Sequence, residues 1–170
     1  MNLGYAFKIV LLHEDLVSGR RGSSVVDRLA GQLEMDVGQL ETEMWKFSVL
    51  RDRDLRAHAM TPLIQANMII IAAAGGTDLP MHIREMIEAA LRLRGDHDAA
   101  IVALFDWENA TWDELPRAGR YLKRLAAKTG LDFFCNKGEW QPKAQTGEIS
   151  ARSVVGLRLP SWGEAVPWNS

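Results

Sequence analysis

The chain has 170 residues, 47% hydrophobic and 25% charged, with 20 basic and 22 acidic side chains and a formal net charge of −2. That size and balance fit one globular domain and exclude a disordered tail or a membrane bundle. With no Lys/Arg block longer than a pair, a nucleic-acid partner is not expected either.

The sole cysteine, Cys135, has no second thiol for an internal disulfide or a zinc pair, so a reducing, cytoplasmic setting is expected. The first six residues show no basic start followed by an apolar run, and a secretory leader is not expected. Apolar stretches such as residues 9–12 and 68–74 fall far short of the roughly 20 residues that span a bilayer. No membrane segment is expected.

Taken in chain order, residues 7–12 (Phe-Lys-Ile-Val-Leu-Leu) form a β-branched apolar run that suits a strand buried on both faces. A Gly/Ser loop over residues 18–24 follows. Val26, Leu29 and Leu33 then recur at helical spacing, with Ser24 and Asp27 as the expected capping pair. Residues 41–49 alternate, Trp45, Phe47 and Val49 against Met44, Lys46 and Ser48, as an edge strand does. Asp52 caps a second helix through Leu55, Ala59 and Leu63, with Pro62 expected to kink it or restart it after Thr61.

Residues 68–73 (Met-Ile-Ile-Ile-Ala-Ala) read as a central strand closed by Gly75-Gly76. Asp78-Leu79-Pro80 opens a helix bearing Ile83, Ile87, Ala90 and Leu91. Residues 99–105 give another buried strand, and Thr111 to Glu114 has capping-box spacing. Leu115, Ala118, Leu122 and Leu125 continue as a helix that Gly130 stops. A short fifth strand covers residues 131–135.

Strands alternating with helices predict a three-layer, doubly wound α/β fold on a five-stranded parallel sheet of order 2-1-3-4-5. Residues 1–138 make this domain. Residues 139–170 form an irregular tail with Trp140, Trp162 and Trp168 where a fifth helix is expected. The tail is expected to cover the bare sheet face of its own domain or of a partner subunit. Residues 147–157 read equally as two helical turns or as a strand.

Open sheets of this kind bind ligands beyond the carboxyl ends of their strands, where successive helices lie on opposite faces. Four loops reach that edge. Ser18, Gly19, Gly22, Ser23 and Ser24 precede the first helix, where free N–H groups favour an anion and Arg20 and Arg21 add charge; they serve otherwise as plain turn and cap residues. Gly75, Gly76 and Thr77 follow the third strand, Asp106 and Trp107 the fourth, and Lys137 the fifth. Glu14, Asp15 and Asp106 are candidate oxygen ligands for Mg²⁺ from separate loops, or solvated turn residues. The four histidines have no metal-ligand spacing, and only His13 reaches the edge. No nucleophile elbow, Walker loop or Cys–His arrangement supports covalent catalysis.

Residues 7–137 resemble the flavodoxin-like superfold. Within it, Glu14-Asp15 and Lys137 resemble the acidic pair and the lysine of response-regulator receiver domains. Those domains carry a phospho-accepting aspartate after strand three and a Ser/Thr after strand four. Here residues 72–75 (Ala-Ala-Ala-Gly) occupy the acceptor position and Asp106 the Ser/Thr position. The resemblance implies a non-catalytic signalling or binding domain that acts through a protein partner, or through self-association by the tail, without aspartyl phosphorylation. Residues 75–80 (Gly-Gly-Thr-Asp-Leu-Pro), with Trp107 and Trp112, resemble the ring-flanking loops of flavodoxins and related flavin reductases. That likeness implies, as the alternative, a redox protein binding FMN or a nucleotide.

Overall fold

The computed structural model describes residues 6–33, 40–106 and 115–137. Among them are five strands and four α-helices in strict alternation, β1 (Phe7–His13), α1 (Leu16–Leu33), β2 (Leu40–Lys46), α2 (Arg53–Gln65), β3 (Met68–Ala73), α3 (Met81–Leu93), β4 (Ala100–Phe105), α4 (Arg117–Thr129) and β5 (Asp132–Lys137), with one 3₁₀ turn at Val49–Arg51. All pairings are parallel and the order is β2-β1-β3-β4-β5. This is the flavodoxin-like doubly wound order.

The three apolar runs became the central strands because only there are both faces covered. Every residue of β3 and β4 is buried. Alternate side chains divide the core into two layers. Val10, Leu12, Ile69, Ile71, Ile101, Ala103 and Phe105 pack against α2, α3 and α4. Ile9, Leu11, Met68, Ile70, Val102, Leu104 and Phe134 face the side where α1 supplies Val25, Val26 and Leu29. Among the described residues α1 is the only helix on that second face. The tail expected to complete it, and the capping box of residues 111–114, lie outside the described residues. Cys135 is half-buried at the rim of the first layer. No helix among the described residues is long and apolar enough to cross a membrane.

Two local expectations fail for identifiable reasons. The edge strand stops at Lys46 rather than continuing to Val49, because the Phe47 N–H bonds back to the His13 carbonyl (2.7 Å) and starts a turn. That turn drops Phe47 and Leu50 into the core and leaves Val49 exposed. Pro62 does not restart α2; it stands in the last turn of one continuous helix capped by the Asp52 carboxylate, which accepts from the N–H groups of Asp54 and Leu55.

The largest correction concerns α1, which begins at Leu16 and not after Ser24. Ser18, Gly19, Gly22, Ser23 and Ser24 are therefore helical, and the connection from β1 is only Glu14-Asp15. Asp15 caps the helix, its Oδ1 accepting from the Ser18 N–H at 2.8 Å, while its carbonyl accepts from the Gly19 N–H at 2.9 Å. The glycines serve close approach rather than a turn. A Cβ on Gly22 would lie 2.5 Å from Leu11 Cδ1, and one on Gly19 would lie 2.8 Å from His13 Nδ1. With side chains there, α1 could not sit this near β1.

Candidate functional site

Of the residues singled out from the sequence, Glu14, Asp15, Ser18, Gly19, Gly75, Gly76, Thr77 and Asp106 stand at or beside the carboxyl edge of the sheet, whereas Gly22, Ser23 and Ser24 lie further along α1; the carboxylates at the edge are engaged with the protein itself. At the end of β1, the His13 ring donates from Nδ1 to the Asp15 carbonyl at 3.0 Å, which fixes the tautomer with a proton on Nδ1. The Glu14 N–H donates to the Ala72 carbonyl (2.9 Å), and the Glu14 carboxylate reaches across to accept from the Ala74 N–H at 2.7 Å. Glu14 thus laces the end of β1 to the end of β3 from both its backbone and its side chain.

Asp15 points the other way, into the first turn of α1. The Ser18 N–H holds its carboxyl below the usual carboxylate range, with lesser help from the Ser18 hydroxyl, Arg21 and His13, against a partial desolvation that opposes them. Because the folded-state value is depressed, the unfolded chain takes up the proton first, so the cap stabilises fully at neutral pH and is lost from about pH 4 downward. Asp15→Ala should cost about 1 kcal/mol at neutral pH. Asp15→Asn, which keeps an acceptor, should cost less and flatten the acid limb of a denaturation series. An acid limb unchanged in both variants would remove Asp15 from this role.

Asp106 follows β4, where its N–H donates to the Ala74 carbonyl (3.2 Å). Its carboxylate lies 3.9 Å from Arg21 Nη2, and the Arg21 side chain is only 12% exposed. This pair links α1 to the end of β4. The structure therefore brings Arg21 and Asp106 together but does not present Glu14, Asp15 and Asp106 as one set of oxygen ligands. Among the described residues no three His, Cys, Asp or Glu side chains gather as a metal site.

Between β3 and α3, Gly75 takes φ +96°, a left-handed conformation that a side chain disfavours, while Gly76 and Thr77 are exposed. A Cβ at Gly75 would also come 3.2 Å from that of Phe105. Trp107, Trp112 and the side chain of Lys137 lie outside the described residues; the Lys137 backbone closes β5 opposite Phe105.

A second concavity, not anticipated from the sequence, lies between α3 and α4 next to this edge. It encloses about 300 Å³ and is lined by Asp78, Leu79, Arg84, Arg117, Arg120, Tyr121 and Arg124 among others. The Tyr121 hydroxyl donates to Glu88 Oε2 at 2.5 Å, and the Arg84 guanidinium sits over the Tyr121 ring, 5.9 Å from its centroid. Burial, reinforced by the Glu88 carboxylate and opposed by Arg84, pushes the phenol well above its ordinary range. The sequence signal for this cleft was the 117, 120, 121, 124 spacing, which forms one stripe on a helix.

A scan against protein-family models finds no match, and a search of the curated proteins finds none. Among solved structures, an azoreductase from Bacillus anthracis str. Sterne aligns with a TM-score of 0.48 and 6% identity, over 78% of this chain and 87% of that one. The fold assignment rests on the strand order itself. By that order the chain is a flavodoxin-like α/β domain.

Proposed function

We propose that this chain is a non-catalytic, receiver-like regulatory or binding domain that works without aspartyl phosphorylation. The observation that carries the reading is the Glu14–Ala74 hydrogen bond. The carboxylate at the end of β1 is committed to a backbone N–H at the end of β3, beside the alanines that occupy the acceptor position. Asp15 is spent on capping α1 and Asp106 lies against Arg21. As placed, the three carboxylates do not fit a shared Mg²⁺.

The flavin alternative receives less support from the same geometry. A phosphate-holding loop after β1 needs several residues with free N–H groups, whereas the β1–α1 connection is two residues long. The partner in this reading is a protein in the cytoplasm, or a second copy met through residues 139–170. Nucleic acid and membrane are not partners in it.

Incubation with a small phosphodonor and Mg²⁺ should leave the intact mass unchanged. A phosphoryl adduct on any aspartate would overturn the proposal. So would a yellow protein as purified, or saturable quenching of flavin fluorescence on titration.

A further inference from the structure

We infer that the cleft between α3 and α4 binds a compact polyanion, a small molecule carrying at least two phosphoryl or carboxylate groups. The inference uses none of the residues behind the proposed function, and either can fail alone.

Charge distribution is the first support. The chain as a whole is slightly acidic, at −2, yet Arg84, Arg117, Arg120 and Arg124 all line one space of about 300 Å³, and among the described residues Asp78 is the only acidic one in its lining. Asp78 is 3.9 Å from Arg117 at an exposed position, 53% and 76% accessible respectively, and a solvated pair of that kind neutralises little. Glu88, on the same side of α3, is engaged by the Tyr121 hydroxyl. α4 contributes five basic side chains and no acidic one. Cations brought together in this way repel one another unless an anion sits between them.

The second support is the state of Arg84. Its guanidinium is held over the Tyr121 ring, and its Nε is shielded from solvent with no hydrogen-bond partner among the described residues. A guanidinium already fixed in place loses little freedom when its fork takes up an acceptor arriving in the cleft. Tyr121, fixed by Glu88, is the surface against which the guanidinium lies.

The third support is geometry. α3 and α4 are parallel crossover helices whose N-terminal ends, preceded by Pro80 and Pro116, lie at the same edge of the sheet. Their positive dipole ends add to the arginines at the mouth. Guanidinium forks match phosphoryl and carboxylate oxygens bidentately. A cleft this small fits the low end of small-molecule sites rather than a macromolecular groove.

The test is isothermal titration of the full chain with inorganic pyrophosphate and, separately, with citrate, at about 150 mM ionic strength, where exposed charges are screened beyond a Debye length. At least one of the two should bind saturably with one site per chain, and the better one identifies the oxyanion class. Arg84→Gln with Arg124→Gln should weaken that binding about tenfold or more. Lys128→Gln, which removes a charge from α4 outside the cleft, should change it by less than about twofold. Thermal melts of the variants separate lost binding from lost folding, and in the unmodified protein the Arg84 Nε–H resonance should shift on titration. No saturable binding of either probe overturns the inference. So does equal loss in the Lys128→Gln protein, or an Arg84 resonance that stays put.

Discussion

Gly22→Ala should destabilise the protein by roughly 1–2 kcal/mol, although alanine is the better helix former. Two effects oppose each other. Within a helix the replacement gains up to about 1 kcal/mol of backbone propensity. The new methyl, however, would stand 2.5 and 2.7 Å from the two Leu11 δ carbons and 3.2 Å from its γ carbon. Leu11 is fully buried, so its δ carbons have no free space to swing into. Overpacking of this kind costs about 1–3 kcal/mol, and the clash wins. Gly31 provides the control, since nothing lies within 4 Å of a Cβ there. Gly31→Ala should therefore be neutral or gain up to about 1 kcal/mol. In a double-mutant cycle, Leu11→Ala makes room for the new methyl, so the combined loss should fall well short of the sum of the single losses. Additive losses in urea denaturation, or a stabilised Gly22→Ala protein, would show that α1 does not rest on β1 this closely.

The two α1 glycines that face β1, Gly19 and Gly22, explain what the sequence concealed. β1, β3 and β4 were legible because residues buried on both faces leave an uninterrupted apolar run. The start of α2 and the end of α4 were legible because Asp52 and Gly130 are strong local signals, and Gly130 indeed takes φ +75°. Gly19, Gly22 and the serines around them carry the composition of a loop, and only proximity to β1 gives them a different purpose. The decisive neighbours, Leu11 and His13, stand on another element. Asp15, three residues before Ser18, was the available clue to the true helix start. At β2 the alternation ran past the strand because Phe47 stays buried after the backbone has turned. The carboxyl edge was located correctly from topology, yet its carboxylates could be assigned partners only once Ala74 and Arg21 were placed beside them. The arginine cleft was less legible still, since Arg84 and the α4 arginines become neighbours only when two crossover helices pack side by side.

Phe105→Ala should be more damaging than either the Asp15 or the Gly22 substitution, with a loss of about 3–5 kcal/mol. Phe105 ends β4 and is fully buried, but its burial alone does not set it apart from Ile71 or Leu104. Its ring separates two segments that depend on it. An ideal Cβ on Gly119 would come within 3.0 Å of the Phe105 Cε2, and one on Gly75 within 3.4 Å of its Cδ1. Glycine at both positions lets the β3–α3 turn and the first turns of α4 close onto the ring. Those two segments carry Asp78 and Leu79 on one side and Arg117 and Arg120 on the other, the mouth of the arginine cleft. Removing the ring should therefore raise amide exchange at residues 75–79 and 117–120 more than across β1, and reduce anion binding beyond what the stability loss accounts for. Phe105→Leu, which keeps part of the volume, should lose less on every count. If Phe105→Ala instead lowers stability evenly, with exchange rising uniformly over the sheet and the anion affinity unchanged, the ring is ordinary core. The spacing of the cleft would then have to come from the helices alone.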